Sequence, residues 1–215
     1  MRTTLITIFS LVILTNLNAQ IQKGAILTGG SFSFNGDRNT EEFSPFGSIV
    51  NDELKNSFIA IRPQIGFFTN ESTLIGIGLA YERSSFEILN TSGGTTSTDF
   101  TRKENAFFIN PYFAKYSKLT DQLYFTTFFD FMAGLGTEKL GENDEIENDV
   151  FELRFSVSPG LTYFVSEKWA LRAQIGQLFY EWRRVEISPD NGDRVNKDNS
   201  YGLNFNLNTF TIGFQ

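Results

Sequence analysis

No histidine and no cysteine occur anywhere in the 215 residues. Without cysteine there are no disulfides, thiolate nucleophiles or zinc–thiolate centres, and without histidine the commonest general base and metal ligand is missing. The usual Ser–His and Asp–His bases are therefore unavailable, so the chain is read as a non-enzyme that needs no cofactor. Positive charge is also scarce. Lys and Arg number 18 against 25 Asp and Glu, a net charge of −7. Nucleic acid is excluded as a partner on this reading, because phosphate binding needs a basic stripe.

What the chain has instead is phenylalanine, 24 residues of it, together with one short apolar run at the start. Arg2 precedes the apolar stretch LITIFSLVIL, and Leu17-Asn18-Ala19 then offers a small-residue cleavage site before Gln20. This is the pattern of a secretory signal peptide over 1–19. The run is too short to cross a hydrocarbon layer that needs about 20 apolar residues. No cysteine follows it, so a lipoprotein is not expected. The remainder, 20–215, reads as one exported all-β domain of ordinary single-domain length.

Its organising unit lies between Phe151 and Trp182. Leu153, Phe155, Val157, Pro159, Leu161 and Tyr163 share one parity, while Glu152, Arg154, Ser156, Ser158, Gly160 and Thr162 share the other. Alternation of period two is the mark of a strand, whose successive side chains leave opposite faces. A polar reversal at 165–168 leads into a second arm, with Trp169, Leu171, Ala173 and Ile175 opposite in parity to Arg172, Gln174 and Gly176. The same strand–turn–strand unit recurs. Its prolines fall at 63, 111 and 159, a constant step of 48 residues, each shortly before a polar turn. A fixed period of this kind implies copies of one supersecondary unit. Proline cannot donate to a ladder, so a shared bulge is expected at these positions.

The alternation predicts strands over 24–35, 57–68, 73–86, 105–116, 123–136, the two arms of 151–182, and 201–214. A change of parity near Asn208 predicts a bulge in the last. Short turns alternate with long polar segments at 36–56, 90–102, 138–149 and 187–200, the last carrying an Asn191-Gly192 turn signal. Eight antiparallel strands with short turns at one end and long loops at the other fit an up-and-down transmembrane β-barrel.

The same alternation also fits a soluble lipocalin-like carrier, in which Phe155 and Ile175 would line a ligand cavity. Three features favour lipid on the apolar face. The apolar stretches match the ~9–11 residues of a tilted crossing strand. The polar parity is rich in Gly, Ala and Ser, which suits a narrow interior. Aromatics gather near the ends of the apolar windows: Phe67, Phe68, Tyr116, Tyr163, Phe164 and Trp169 by the turns, with Tyr180 and Trp182 towards the loops. These resemble interfacial girdles.

The repeated Pro-x-apolar-x-Tyr/Phe-Phe, polar turn, Leu/Ile-x-Gly pattern, as in Pro159 to Gly176, resembles the small outer-membrane protein β-barrel domain family of Gram-negative bacteria. That resemblance implies an integral outer-membrane location, with long loops outside the cell and short turns in the periplasm. It implies outer-membrane lipid and the barrel insertion machinery as partners, and says little about activity. Such barrels end on an aromatic residue, whereas here Phe214 is followed by Gln215.

The polar parity carries Arg62, Arg154 and Arg172 against Glu82, Asp130 and Glu152. Unpaired buried charge is costly, so these six are expected to pair across the lumen and plug the barrel. A narrow pore for small or hydrophobic solutes is the alternative. The acidic run over 138–149 could take divalent cations, yet it lacks the spacing of an EF-hand loop and reads as a solvated segment. Asp190 to Asp193 reads as a turn. The four long segments are the surfaces on which an extracellular partner would be sought.

Overall fold

The computed structural model describes residues 21–43, 50–92, 95–141, 146–166, 168–187, 194–205 and 209–214. The expected signal peptide, the Asn191-Gly192 turn, Asn208 and Gln215 lie outside them. Ten strands form one antiparallel sheet: β1 (Ile26–Phe43), β2 (Val50–Asn70), β3 (Thr73–Ser92), β4 (Thr95–Lys118) and β5 (Leu123–Leu140). They continue with β6 (Ile146–Phe164), β7 (Trp169–Gln174), β8 (Gln177–Ile187), β9 (Arg194–Asn204) and β10 (Thr209–Phe214). β7 with β8, and β9 with β10, are each one stave interrupted midway, so the ring has eight staves. Each stave pairs with the next, and β10 returns to β1 through Thr28↔Phe214, Gly29↔Gly213 and Gly30↔Ile212. The chain is the up-and-down antiparallel barrel that its alternation predicts.

The two faces divide sharply. Leu79, Phe107, Leu135, Leu203 and Ile212 stand outward and exposed, while Ala60, Glu82, Tyr112, Phe128 and Glu152 of the other parity are buried inside. Phe155 and Ile175, 46% and 43% exposed, stand on the outward face rather than with the buried residues of a carrier's interior. An outward aromatic lies at each end of this belt. Trp169 packs edge-on against Phe214 by the turns, and Phe151 against Trp182 towards the far end. From Tyr163 to Phe151 along β6, at ~3.3 Å per residue and a tilt near ~40°, the belt is roughly 30 Å tall.

Two expectations need correction. The strands run on through much of the segments read as loops: β1 reaches Phe43, β3 Ser92, β5 Leu140 and β8 Ile187. Above the belt the outer face turns polar and the inner face mixes charge with Phe86, Phe100, Val150 and Val185, so the apolar alternation fades although the backbone ladder continues. The partner surfaces read at 36–56, 90–102, 138–149 and 187–200 are thus largely barrel wall. Second, Phe68, Tyr116 and Phe164 are not girdle residues, for they are 0–3% exposed inside the barrel. In each Phe67-Phe68 or Tyr163-Phe164 doublet one ring faces out and its neighbour in, as period two demands.

The three prolines act alike up to a point. Pro63, Pro111 and Pro159 each keep register with the preceding stave, at Gly30, Ile77 and Thr127. Towards the following stave the ladder lapses at each one. At Pro111 the gap is filled by Asn110, whose Nδ2 donates to Phe131 O at 3.1 Å. Only at Pro159 does the register slip, where the extra residue of a bulge lies between Gln174 and Leu178. There Ile175 N donates to Pro159 O at 2.8 Å, and Gly176 takes φ +91°. A Cβ on Gly176 would lie 2.6 Å from Asn204 O. Gly24 also has positive φ, at +85°, but open space around it. Gly24→Ala should therefore cost only the backbone strain of about 1 kcal/mol, and Gly176→Ala distinctly more, towards ~3 kcal/mol. Urea unfolding of each folded variant measures both, and equal midpoints would remove the bulge's steric role.

Candidate functional site

The lumen is built in layers. Nearest the turns is an aromatic stopper, made because β2, β4, β5 and β6 each turn a large ring inward at the same height. Phe68 meets Tyr116 at 5.2 Å between centroids, Tyr124 meets Phe164 at 5.4 Å, and Tyr112 stacks on Phe128 at 5.7 Å. Leu27, Leu74 and Ala114 fill the gaps, and Thr126 and Thr162 share a buried hydrogen bond of 2.8 Å. Ile21, just before β1, is 4% exposed within this cluster. Gly24 N donates to Phe68 O at 2.7 Å and Phe68 N to Ala25 O at 2.9 Å, which fixes that segment against β2.

Above the stopper lies a cavity of about 320 Å³. Arg62, Asp130, Arg154 and Arg172 reach it, with Gln64, Asn110, Ser156, Gln174 and Thr211. Arg172 lies over the Phe128 ring, its guanidinium carbon 3.6 Å from the centroid, and donates through Nη2 to Thr211 Oγ1 at 3.1 Å. Its guanidinium thus rests on the stopper as a cation on an aromatic face.

The next layer is an ion lattice across the barrel. Arg62 on β2 donates through Nε and Nη2 to Glu82 Oε1 on β3, at 3.1 and 2.6 Å. Glu82 Oε2 accepts from Arg154 Nη1 on β6 at 2.7 Å, a bond that crosses the lumen. Arg154 also pairs with Glu152 on its own strand and, at 3.3 Å, with Glu181 on β8. Its guanidinium lies 4.7 Å from the Phe108 ring. That ring leans over Gly134, where a Cβ would fall 2.2 Å from it. Glu82 and Glu152 are 6% and 2% exposed.

Of the six charges named from the sequence, Arg62, Glu82, Glu152 and Arg154 thus meet in one lattice. Asp130 and Arg172 stand below it at the cavity, and among the described residues Arg172 has no carboxylate at salt-bridge distance. Cation–π contact and a hydroxyl replace the expected ion pair.

A second lattice lies beyond the first and was missed. Arg183 on β8 bridges Glu104 on β4 at 2.8 Å and Glu138 on β5 at 3.2 Å. Arg102 Nε contacts Glu138 Oε1 at 2.6 Å, and Asn148 Nδ2 donates to Glu138 Oε2 at 3.3 Å. The signal was present in the parity. Glu104 continues the inward step of Ala106 and Phe108, and Glu138 that of Gly134 and Gly136, but both sit just beyond the strand ends that the alternation predicts. Higher still, on the outer face, Arg38 pairs with Glu53, whose carboxyl is held below its usual range first by the Arg38 hydrogen bond and then by Lys55. No group of residues suited to hold a metal ion occurs among the described residues.

No family model matches the chain, and no curated protein matches it significantly. Among solved structures, the outer membrane protein OprG from Pseudomonas aeruginosa is similar in fold at a TM-score of 0.44 and 12% identity, over 93% of this chain and 98% of that one.

Breaking the first lattice has a directional consequence. Arg154→Met leaves Glu82 and Glu152 buried without their shared cation, a loss of about 3–5 kcal/mol. Adding Glu152→Gln to that variant should recover part of it, because Glu82 keeps Arg62 while the carboxylate left without its cation is removed. Urea unfolding of the refolded barrels is the measurement, and an Arg154→Met variant as stable as wild type would show that the lattice does not hold the wall.

Proposed function

We propose that this chain is an integral outer-membrane barrel whose role is structural or surface-directed rather than conductive. The supporting observation is the aromatic stopper: six rings from β2, β4, β5 and β6 close the turn end of the lumen, and two ion lattices stand above it. Eight staves leave an interior only wide enough for side chains. Water and ions can enter from the loop end, and the buried rings stop them before the turns. The protein is then a cup, blind at one end.

The membrane reading is supported by the outward belt. In water, so much exposed Phe, Leu and Ile would drive aggregation. Against hydrocarbon it is the favourable surface, flanked by aromatic rings at both interfaces. The long strand extensions of β1 to β6, with polar residues on both faces, then project outside the cell, and the short turns at Asn70–Thr73 and 119–122 lie in the periplasm.

Planar-bilayer recording tests the closed lumen. Wild-type protein should show no steady single-channel steps, while Phe128→Ala combined with Tyr116→Ala should produce them. Reproducible wild-type steps would sink the closed cup. Orientation is tested by single cysteines, for which the wild-type chain gives no background. A cysteine replacing Glu147 or Lys197 should react with an impermeant maleimide on intact cells. One replacing Leu119 or Lys168 should react only after the outer membrane is permeabilised. The reverse pattern would invert the topology, and a soluble periplasmic product would remove the membrane reading.

A further inference from the structure

We infer that the loop end of the lumen holds a binding site for a small organic cation, an ammonium group carried on an aromatic body. The inference deepens the surface-directed reading given above, and rests on its orientation only for the side from which the ligand arrives. The site is a cavity of about 350 Å³ enclosed by β3, β4, β5, β6, β8 and β9. Arg102, Glu138 and Arg183 of the second ion lattice are its floor. Its walls are of two kinds. Phe86, Phe100 and Val185 belong to an apolar arc, and Asn196 and Asp198 on β9 to a polar one.

Charge selects the sign of the ligand. Arg102 and Arg183 are matched in the floor by two carboxylates, Glu104 and Glu138, at 2.6 to 3.5 Å. Asp198 is a third carboxylate. It stands opposite Arg183 in register, yet no cation lies within salt-bridge distance of it among the described residues. The lysines of this region, Lys103, Lys139 and Lys197, are of outward parity. Arg194 shares the inward parity of Asp198 but stands four residues further along β9, roughly 13 Å away. The cavity thus has one more carboxylate than guanidiniums to meet it. The rings select the body. In the two layers below, an inward phenylalanine carries a cation, Arg172 at 3.6 Å from the centre of Phe128 and Arg154 at 4.7 Å from that of Phe108. Phe86 and Phe100, 6.4 Å apart between centroids and inclined at 60°, carry none among the described residues. Both arginines at their height are held by the lattice, and both rings are only half-buried, unlike those of the stopper. An aromatic body between them covers their exposed faces, and its ammonium draws on the ring quadrupoles and on Asp198 together. An anion of the same shape meets the surplus carboxylate and is repelled.

The full chain, wild type and variants, is refolded in detergent micelles, and folding is checked by a heat-modifiable band. Each is titrated calorimetrically at neutral pH with 2-phenylethylammonium, against a blank of empty micelles. Wild type should bind saturably. D198N and F86L/F100L should each bind at least about tenfold more weakly. E147Q removes a carboxylate paired with Lys139 on the outer face, and should bind as wild type does. Neither 3-phenylpropionate, with the same ring and the opposite charge, nor methylammonium, with the charge and no ring, should bind saturably. Undiminished binding by D198N overturns the site, as does 3-phenylpropionate binding as tightly as the amine. Undiminished binding by a folded F86L/F100L also overturns it, and so does equal loss in E147Q, which would mean diffuse attraction to an acidic chain. Should the ring variant fail to fold, D198N at its exposed position decides. Orientation is read separately. A barrel that binds the amine in micelles, but whose cysteine at Lys197 reacts only after permeabilisation, keeps the site and loses the surface-directed reading. A folded wild type that gives no saturable heat loses the site and leaves that reading standing.

Discussion

The constraint behind the whole structure is that a sheet leaves unpaired backbone amides and carbonyls along every open edge. Each must find a partner in the neighbouring stave, and a sheet meets that demand only by closing. Everything else follows from closure. A closed wall of eight staves has one inside and one outside, so period two becomes a sorting rule for every side chain. The prolines show how tight the rule is. Where Pro111 withholds a donor, an asparagine amide stands in, and where Pro159 does so the next stave bulges.

The interior is solved by two different means along one axis. Near the turns, packing dominates: rings fill the space and exclude water. Higher up, where strands carry Arg and Glu, charge is cancelled by geometry, Arg154 and Arg183 each serving two or more carboxylates drawn from different staves. Arg172 marks the change of regime, since it rests on Phe128 below and faces the polar cavity above. Small residues decide where these bonds can run. The Glu82–Arg154 contact crosses the lumen over the Gly134 position, where Phe108 can lie down only because no Cβ is there.

Much of this was legible in the order of residues. The eight staves and their parity follow from alternation, and the inward direction of Arg62, Glu82, Glu152 and Arg154 from the small residues that share their parity and the length of the apolar windows opposite. What escaped did so for definite reasons. The strand extensions alternate too irregularly to read as strands, with charged residues among inward Phe86, Phe100, Val150 and Val185, so Glu104, Glu138 and Arg183 were hidden in segments that read as loops. Phe68, Tyr116 and Phe164 were misplaced because an aromatic at a strand end suits either an interface or a stopper, and only strict parity separates the two. The interruption at Gly176 gave no periodic signal, since one extra residue in a strand of mixed polarity changes little in the pattern.

The closing seam also sets a clock. Thr28 and Phe214 meet across 186 residues of chain, the hydroxyl of one donating to the carbonyl of the other. Every other junction joins staves adjacent in sequence and can form locally as the chain is made. This one has the longest loop to close and must wait for the last strand. Until it forms, the sheet is an open ribbon with two free edges and one greasy face, the kind of intermediate that pairs with its own copies. A chain of this design spends its most vulnerable interval nearly complete. Its yield in the cell then depends less on the depth of the final energy well than on how long that ribbon is shielded before its two ends find each other.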